Sequence, residues 1–238
     1  MAIQTRTIDY SDGATALEGY MAWDDSGSDP RPGVLISHAW AGRGELEESK
    51  AEQLAELGYV GFALDLYGKG VKGTSPDEND ALMQPLLKDR PALQRRMQLA
   101  LQQIRRQKEV DSARVAAMGF CFGGLCVLDL ARVGSDLLGV ASFHGLFGPP
   151  GNTDGNRITA KILAMHGWDD PMVTPDQVVS LAEELTAMGA DWQIHGYGNT
   201  LHAFTNPAAD DVARGTVYDA DADRRSWQSL QLFLAEIF

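Results

Sequence analysis

The six residues Gly119-Phe120-Cys121-Phe122-Gly123-Gly124 hold a thiol in a setting suited to nucleophilic chemistry. The apolar run Val115-Ala116-Ala117-Met118 leads into them, and the helix-like run Leu125-Cys126-Val127-Leu128-Asp129-Leu130-Ala131 follows. Strand, tight turn and helix in that order make a nucleophile elbow, G-x-S-x-G, here with Cys in place of Ser. Such a turn forces its central residue into a strained backbone, and its glycines let strand and helix approach closely. The sulfur then projects at a helix N-terminus, where backbone N–H groups and the helix dipole favour a thiolate. A small buried Cys beside a glycine turn is the plain alternative; the strand–turn–helix context favours the nucleophile. Cys126, five residues on, points elsewhere on the same helix, so no disulfide between the two is expected.

A thiol nucleophile needs a base within hydrogen-bond reach and an acid to hold that base. The chain has five histidines. His195 lies inside a strand pattern, while His38, His144 and His166 each close a strand and could line a site or merely end the strand. His202 follows the loop Gly198-Asn199-Thr200-Leu201, between the final strand and the final helix, where an imidazole can swing over the elbow. His202 is therefore the first candidate base, with His144, His38 and His166 behind it. For the acid, Asp170 stands in His166-Gly167-Trp168-Asp169-Asp170-Pro171, after a strand ending at the same sheet edge, and the following Pro biases it toward an extended backbone. Asp169 is the alternative; capping of the next helix, the other role open to Asp170, could fall to Thr174 or Asp176. Nucleophile, acid, base is the chain order of α/β-hydrolases. An oxyanion hole would combine the Phe122 N–H with one from His38-Ala39-Trp40-Ala41-Gly42, for which Trp40 is the best placed. Metal-ligand spacings and a P-loop Lys-Ser/Thr do not occur.

The elements needed to hold these residues alternate between strand and helix. Ile3 to Ile8 and Ala16 to Trp23 alternate like strands, and a turn-rich stretch runs from Asp24 to Pro32. Gly33 to His38 is a continuous apolar run, as in a parallel strand buried on both faces. A helix over Glu45 to Leu57 ends at Gly58, and a strand covers Tyr59 to Leu64. After the Gly-rich loop Gly68 to Thr74 come helices over Glu78 to Lys88 and Pro91 to Gln107. Beyond the elbow, strands are predicted at Leu138 to Phe143, Ile162 to Met165 and Trp192 to Tyr197, with helices over Pro175 to Met188 and from about Ala222 to Phe238. This predicts an α/β fold: a mostly parallel twisted sheet with helices on both faces and its chemistry at the carboxyl ends of the strands. With 238 residues, 44% of them hydrophobic, one domain spanning 1–238 is expected. The net charge of −13, without a Lys/Arg run, argues against nucleic acid or anionic membranes as partners. No signal-peptide pattern or membrane-spanning run occurs, so a cytoplasmic, reduced setting is expected.

These residues together resemble the dienelactone hydrolase family, the Cys-His-Asp branch of the α/β-hydrolases. The likeness covers nearly the whole chain through Leu64-Asp65-Leu66-Tyr67-Gly68, the elbow, Ser142-Phe143-His144-Gly145, His166 to Pro171, His202-Ala203-Phe204-Thr205-Asn206-Pro207 and Tyr218 to Trp227. The resemblance implies Cys121 as nucleophile, His202 as base, Asp170 as orienting acid, and no cofactor. Two departures stand out. Dienelactone-cleaving members carry a Glu in the loop after the first parallel strand, where this chain has Ala39. They also hold the substrate carboxylate with arginines, one of them four residues after the catalytic His, where this chain has Asn206, and Thr74 to Asp89 supplies no second Arg. An anionic lactone would lose its charge-assisted clamp unless Arg43, Lys69 or Lys72 replaced it.

The leading expectation is a cofactor-independent hydrolase of neutral esters or lactones, with Trp40, Tyr67, His144 and Phe204 as pocket walls or core packing. A second reading keeps the machinery and turns it on neutral phosphotriesters. A third is a non-catalytic α/β-hydrolase scaffold that binds a ligand or partner. The partner is in each enzymatic case a small molecule, and the chain is expected to be a monomer or homodimer.

Overall fold

The computed structural model describes residues 2–238, which form two compact units, 2–118 and 119–238. In the first, β1 (Ile3–Asp12) and β2 (Thr15–Asp24) make a long antiparallel hairpin. Strand β2 pairs antiparallel with β4 (Val60–Ala63), which runs parallel to β3 (Arg31–Ser37). Val34, Leu35 and Ile36 are wholly buried, as is every residue of β4, which is the pattern of inner strands covered on both faces. Helix α1 (Glu45–Glu56) buries Ala51, Leu54 and Ala55 and opens with a capping box in which Glu47 accepts from the Gly44 N–H. Helices α2 (Pro76–Lys88) and α3 (Arg90–Arg105) follow, each started by a side-chain cap (Ser75 and Asp89) and an early proline.

Strand β5 (Val110–Phe120) starts in the first unit and ends in the second. There α4 (Phe122–Arg132) follows it with only Cys121 between, and every residue of this helix is buried. Strands β6 (Gly139–Phe143), β7 (Lys161–Gly167) and β8 (Trp192–Tyr197) run parallel, in that order. Helix α5 (Pro175–Ala187) is capped by Thr174 with Gln177. Helix α6 (Ala220–Ile237) turns Leu230, Phe233 and Leu234 inward and packs on β6 and β7. Between β8 and α6 lies a small antiparallel hairpin that the hydropathy pattern does not foretell: β9 (Asp210–Asp211), a 3₁₀ turn (Val212–Arg214) and β10 (Thr216–Val217).

The fold class is the expected α/β architecture of mostly parallel strands with helices. The differences are of extent. The elbow strand begins at Val110, not Val115, and the helix behind it starts at Phe122, not Leu125, because Phe122-Gly123-Gly124 already forms the first helical turn despite the low helix propensity of glycine. The third helix stops at Arg105 and not Gln107, and the last starts at Ala220, where the Asp219 side chain accepts from the N–H groups of Asp221 and Ala222. No helix of the described residues is long and apolar enough to cross a membrane.

Candidate active site

Cys121 occupies the one residue between β5 and α4, at φ 54° and ψ −114°. Its backbone is held from both sides: its N–H donates to the Phe143 carbonyl at 3.0 Å, and its carbonyl accepts from the Gly124 N–H at 3.0 Å. The turn needs its glycines. A Cβ on Gly119 would collide with the Gly123 carbonyl oxygen, and one on Gly124 would lie 2.6 Å from Ser142 Oγ and 2.7 Å from Gly145 Cα. Neither cysteine is in a disulfide; Cys121 is half-buried and Cys126 fully buried. Phe122 is the first residue of α4, so its N–H points out of the helix's N-terminal end.

Asp170 and His202 meet in the same unit. His202 Nδ1 donates to Asp170 Oδ2 at 2.7 Å, and both side chains are shut off from solvent. The other carboxylate oxygen accepts from the Met172 N–H at 2.8 Å. Asp169, the other candidate acid, is exposed, and the cap of α5 falls to Thr174. The His202 backbone is held by the β9–β10 hairpin: its N–H donates to Gly215 O at 2.9 Å and its carbonyl accepts from the Val217 N–H at 3.0 Å. Nε2 of His202 has no partner of hydrogen-bonding geometry. Burial lowers the pKa of this imidazole, but the charge of Cys121 together with the Asp170 hydrogen bond outweighs it and carries the value up to about 10.

The other histidines are otherwise engaged. His38 Nδ1 donates to the Ala39 carbonyl at 2.7 Å while Nε2 accepts from the Leu66 N–H at 3.2 Å, leaving neither nitrogen for a base. His166 Nε2 donates to the Val173 carbonyl at 2.9 Å. His144 Nε2 bonds the Thr205 hydroxyl at 2.8 Å, and its ring stands edge-on to those of His202 (5.1 Å) and Phe204 (5.0 Å). Burial first, and then the neighbouring His202 charge, hold the His144 pKa well below the ordinary imidazole value. Phe204 is fully buried between His144 and Tyr197, a packing role. Among the described residues only Cys121, His144, Asn199 and Ala203 are non-glycines with positive φ, and three of these four sit at or beside this cluster. Strain of that kind concentrates at functional sites.

Trp40 and Tyr67 belong to the first unit, on the loops after β3 and β4, and both are half-buried. Tyr67 Oη donates to the Trp40 carbonyl at 2.9 Å, and its ring lies 4.7 Å from that of His38. The Ala39 N–H donates to Glu47 Oε1 at 3.3 Å. Asn206, where a carboxylate-binding Arg is expected in dienelactone-cleaving relatives, uses its Oδ1 to accept from the Ala208 N–H at 3.0 Å. Thr205, Gly215 and the hairpin were not singled out by sequence; Gly215 alone left a signal, as a turn glycine. Among the described residues no group of three or more His, Cys, Asp or Glu side chains could hold a metal ion.

Comparison with known proteins identifies the family. Residues 17–238 match the model of the Dienelactone hydrolase family. A crystal structure of a dienelactone hydrolase-like promiscuous phosphotriesterase from metagenomic libraries is 36% identical, with a TM-score of 0.94 and 100% of both chains covered. An uncharacterised protein of Caenorhabditis elegans is 35% identical over 149 residues, 61% of this chain and 94% of that one. A protein of Aquifex aeolicus with a provisional carboxymethylenebutenolidase name is 26% identical over 228 residues, 93% of this chain and 94% of the other.

Proposed function

The chain belongs to the dienelactone hydrolase family and is a hydrolase, and on that footing we propose that it cleaves neutral esters or lactones with Cys121 as nucleophile, His202 as base and Asp170 as the orienting acid. The observation that carries this reading is the buried 2.7 Å bond from His202 Nδ1 to Asp170, which leaves Nε2 as the nitrogen open to Cys121. With its pKa up at about 10, His202 is well suited to hold the proton that Cys121 gives up when the sulfur attacks.

The reaction follows from that proton transfer. The sulfur attacks the acyl carbon, and the oxyanion is met by the Phe122 N–H at the positive end of α4. Collapse of the tetrahedral adduct expels the alkoxide, which takes the Nε2 proton and leaves as the alcohol. Forming the thioester removes the negative charge on sulfur, one of the main influences that raise the His202 pKa. The imidazole therefore falls toward its ordinary value as the acyl-enzyme forms, and the neutral ring can now take a proton from water. Hydroxide adds to the thioester, the acid leaves, and the returning thiolate restores the pair. Asp170 keeps Nδ1 protonated throughout.

The preference for neutral substrates rests on charge. Asn206 stands where an arginine is expected, and two of the cations named as substitutes are already engaged: Arg43 pairs with Glu18 and Glu48, and Lys69 pairs with Asp9 and Glu18. A neutral phosphotriester suits the same nucleophile and oxyanion donor, and the relative with 36% identity named as a promiscuous phosphotriesterase favours this as a second activity of one site. The test is kcat/KM for an aryl ester, its carboxylate-bearing analogue, a lactone and a phosphotriester, in wild type and Cys121→Ala, with a chelator control. Turnover of the neutral ester that disappears with Cys121 is expected; equal turnover in both proteins overturns the reading.

A further inference from the structure

The His202 side chain is anchored by Asp170, but its backbone lies in irregular chain after β8 and is bridged to the hairpin of residues 210–217 at Thr216. Gly215 sits where three constraints cross. Its carbonyl accepts the His202 N–H at 2.9 Å. It closes the 3₁₀ turn in the left-handed region, at φ 69° and ψ 28°, with its own N–H on the Val212 carbonyl at 3.1 Å. Its Cα faces Pro171, the residue after Asp170, so closely that a Cβ here would collide with Pro171 Cγ and come within 2.6 Å of Cδ. One residue thus touches the backbone of the base and the proline that follows the acid.

We propose that Gly215 is a positioning residue: seated on Pro171, it fixes the hairpin and through it the spacing of His202 from Asp170. The proposal rests on the Cys121–His202–Asp170 reading. The neighbouring contacts fit it. Val217 grips the His202 carbonyl from the far side, the Tyr218 N–H donates to Ala209 O at 2.9 Å, and the Asp219 N–H donates to Phe204 O at 3.1 Å. The loop that carries the base is therefore tied at His202 and Phe204 to the 209–219 segment, which the Tyr218–Ala209 bond closes on itself, and that segment abuts the acid's turn at Gly215. A side chain at 215 would lift the hairpin from Pro171 and drag the His202 N–H with it.

The experiment compares Gly215→Ala, Pro171→Ala and the pair of substitutions with wild type and Cys121→Ala on a neutral aryl ester. It also follows the downfield proton resonance of His202 Nδ1–H and the thermal midpoint. Gly215→Ala is expected to lower kcat about ten- to a hundred-fold with KM little changed, and to shift or broaden the Nδ1–H resonance. Pro171→Ala removes the atoms that the new Cβ would strike, though not the strain of a side chain at φ 69°, so the pair should recover most of the resonance and of the kcat lost in Gly215→Ala. Wild-type kcat and resonance in Gly215→Ala, while Cys121→Ala is dead, overturns the positioning role and leaves the triad reading standing; full activity in Cys121→Ala overturns the triad itself. Should Gly215→Ala fail to fold, the pair decides. A folded, active pair supports the Pro171 seat, and an equally unfolded pair assigns Gly215 to general folding and overturns the proposal.

Discussion

Replacing Asp170 by Asn changes one atom and should cost most of the activity. The Asp170 carboxylate has two neighbours: the Met172 N–H on Oδ1 at 2.8 Å and His202 Nδ1 on Oδ2 at 2.7 Å. An Asn in this place satisfies Met172 with its carbonyl oxygen and is then obliged to turn its NH₂ toward His202. Two donors cannot face each other in a buried site, so Nδ1 gives up its proton and the neutral tautomer carries hydrogen on Nε2, where the base must accept one. Losing one charge of a buried pair costs about 3–5 kcal/mol, a factor of about a hundred to a few thousand. The wrong tautomer brings the expected fall in kcat to about 10³–10⁴. The assay is steady-state hydrolysis of a neutral aryl ester, alongside an NMR titration of the His202 imidazole. Its pKa should drop below the wild-type value of about 10, because the carboxylate is one of the groups holding it up. Asp170→Asn within tenfold of wild type, in a folded protein, refutes the reasoning, and so does a larger loss in Asp169→Asn.

Cys121→Ala should abolish turnover with little change in thermal midpoint, whereas Cys126→Ala, a buried site off the elbow, should keep most activity and lose only about 1 kcal/mol of stability. Carboxylate-bearing substrates should be processed about ten- to a hundred-fold less well than neutral analogues, the worth of one charge-assisted contact, and Asn206→Arg should narrow the gap; a preference for the carboxylate at low and high salt contradicts this. Stability should fall on both sides of neutrality. His38, His144 and His166 have pKa values depressed mainly by burial, so below about pH 6.5 the unfolded chain binds more protons and unfolding gains. His202 has the opposite sign: its raised value contributes stability that is whole below about pH 6.5 and lost as the pH rises toward 10. Urea midpoints across this range test both limbs, and a midpoint that climbs from pH 6.5 to pH 5 contradicts the acid limb.

The elbow was legible because local rules write it: an apolar strand, glycines that no Cβ can replace at 119 and 124, and a buried helix directly behind. Asp170 could be preferred to Asp169 because Pro171 constrains its backbone, and the same residue is the buried one. The inner strands also announced themselves, since β3 and β4 are apolar without interruption. The β9–β10 hairpin did not. Strands of two residues carry no period, and their place depends on Gly215 meeting Pro171, more than forty positions back along the chain. His144 could be read as wall or base; its engagement with Thr205 is a tertiary contact that spacing does not reveal.

Two imidazoles stand 5.1 Å apart in this cluster, and only one of them is able to carry a proton charge near neutral pH. His144, fully enclosed and bonded to Thr205, serves as an uncharged wall against which the His202 ring can gain and lose its proton without a second cation beside it. The acidic side of the kcat profile, where the acyl-enzyme leaves His202 near its ordinary value, should accordingly be a single smooth step from one ring, not the double descent of a histidine pair that titrates together. Proton traffic through the cluster is thereby confined to one lane.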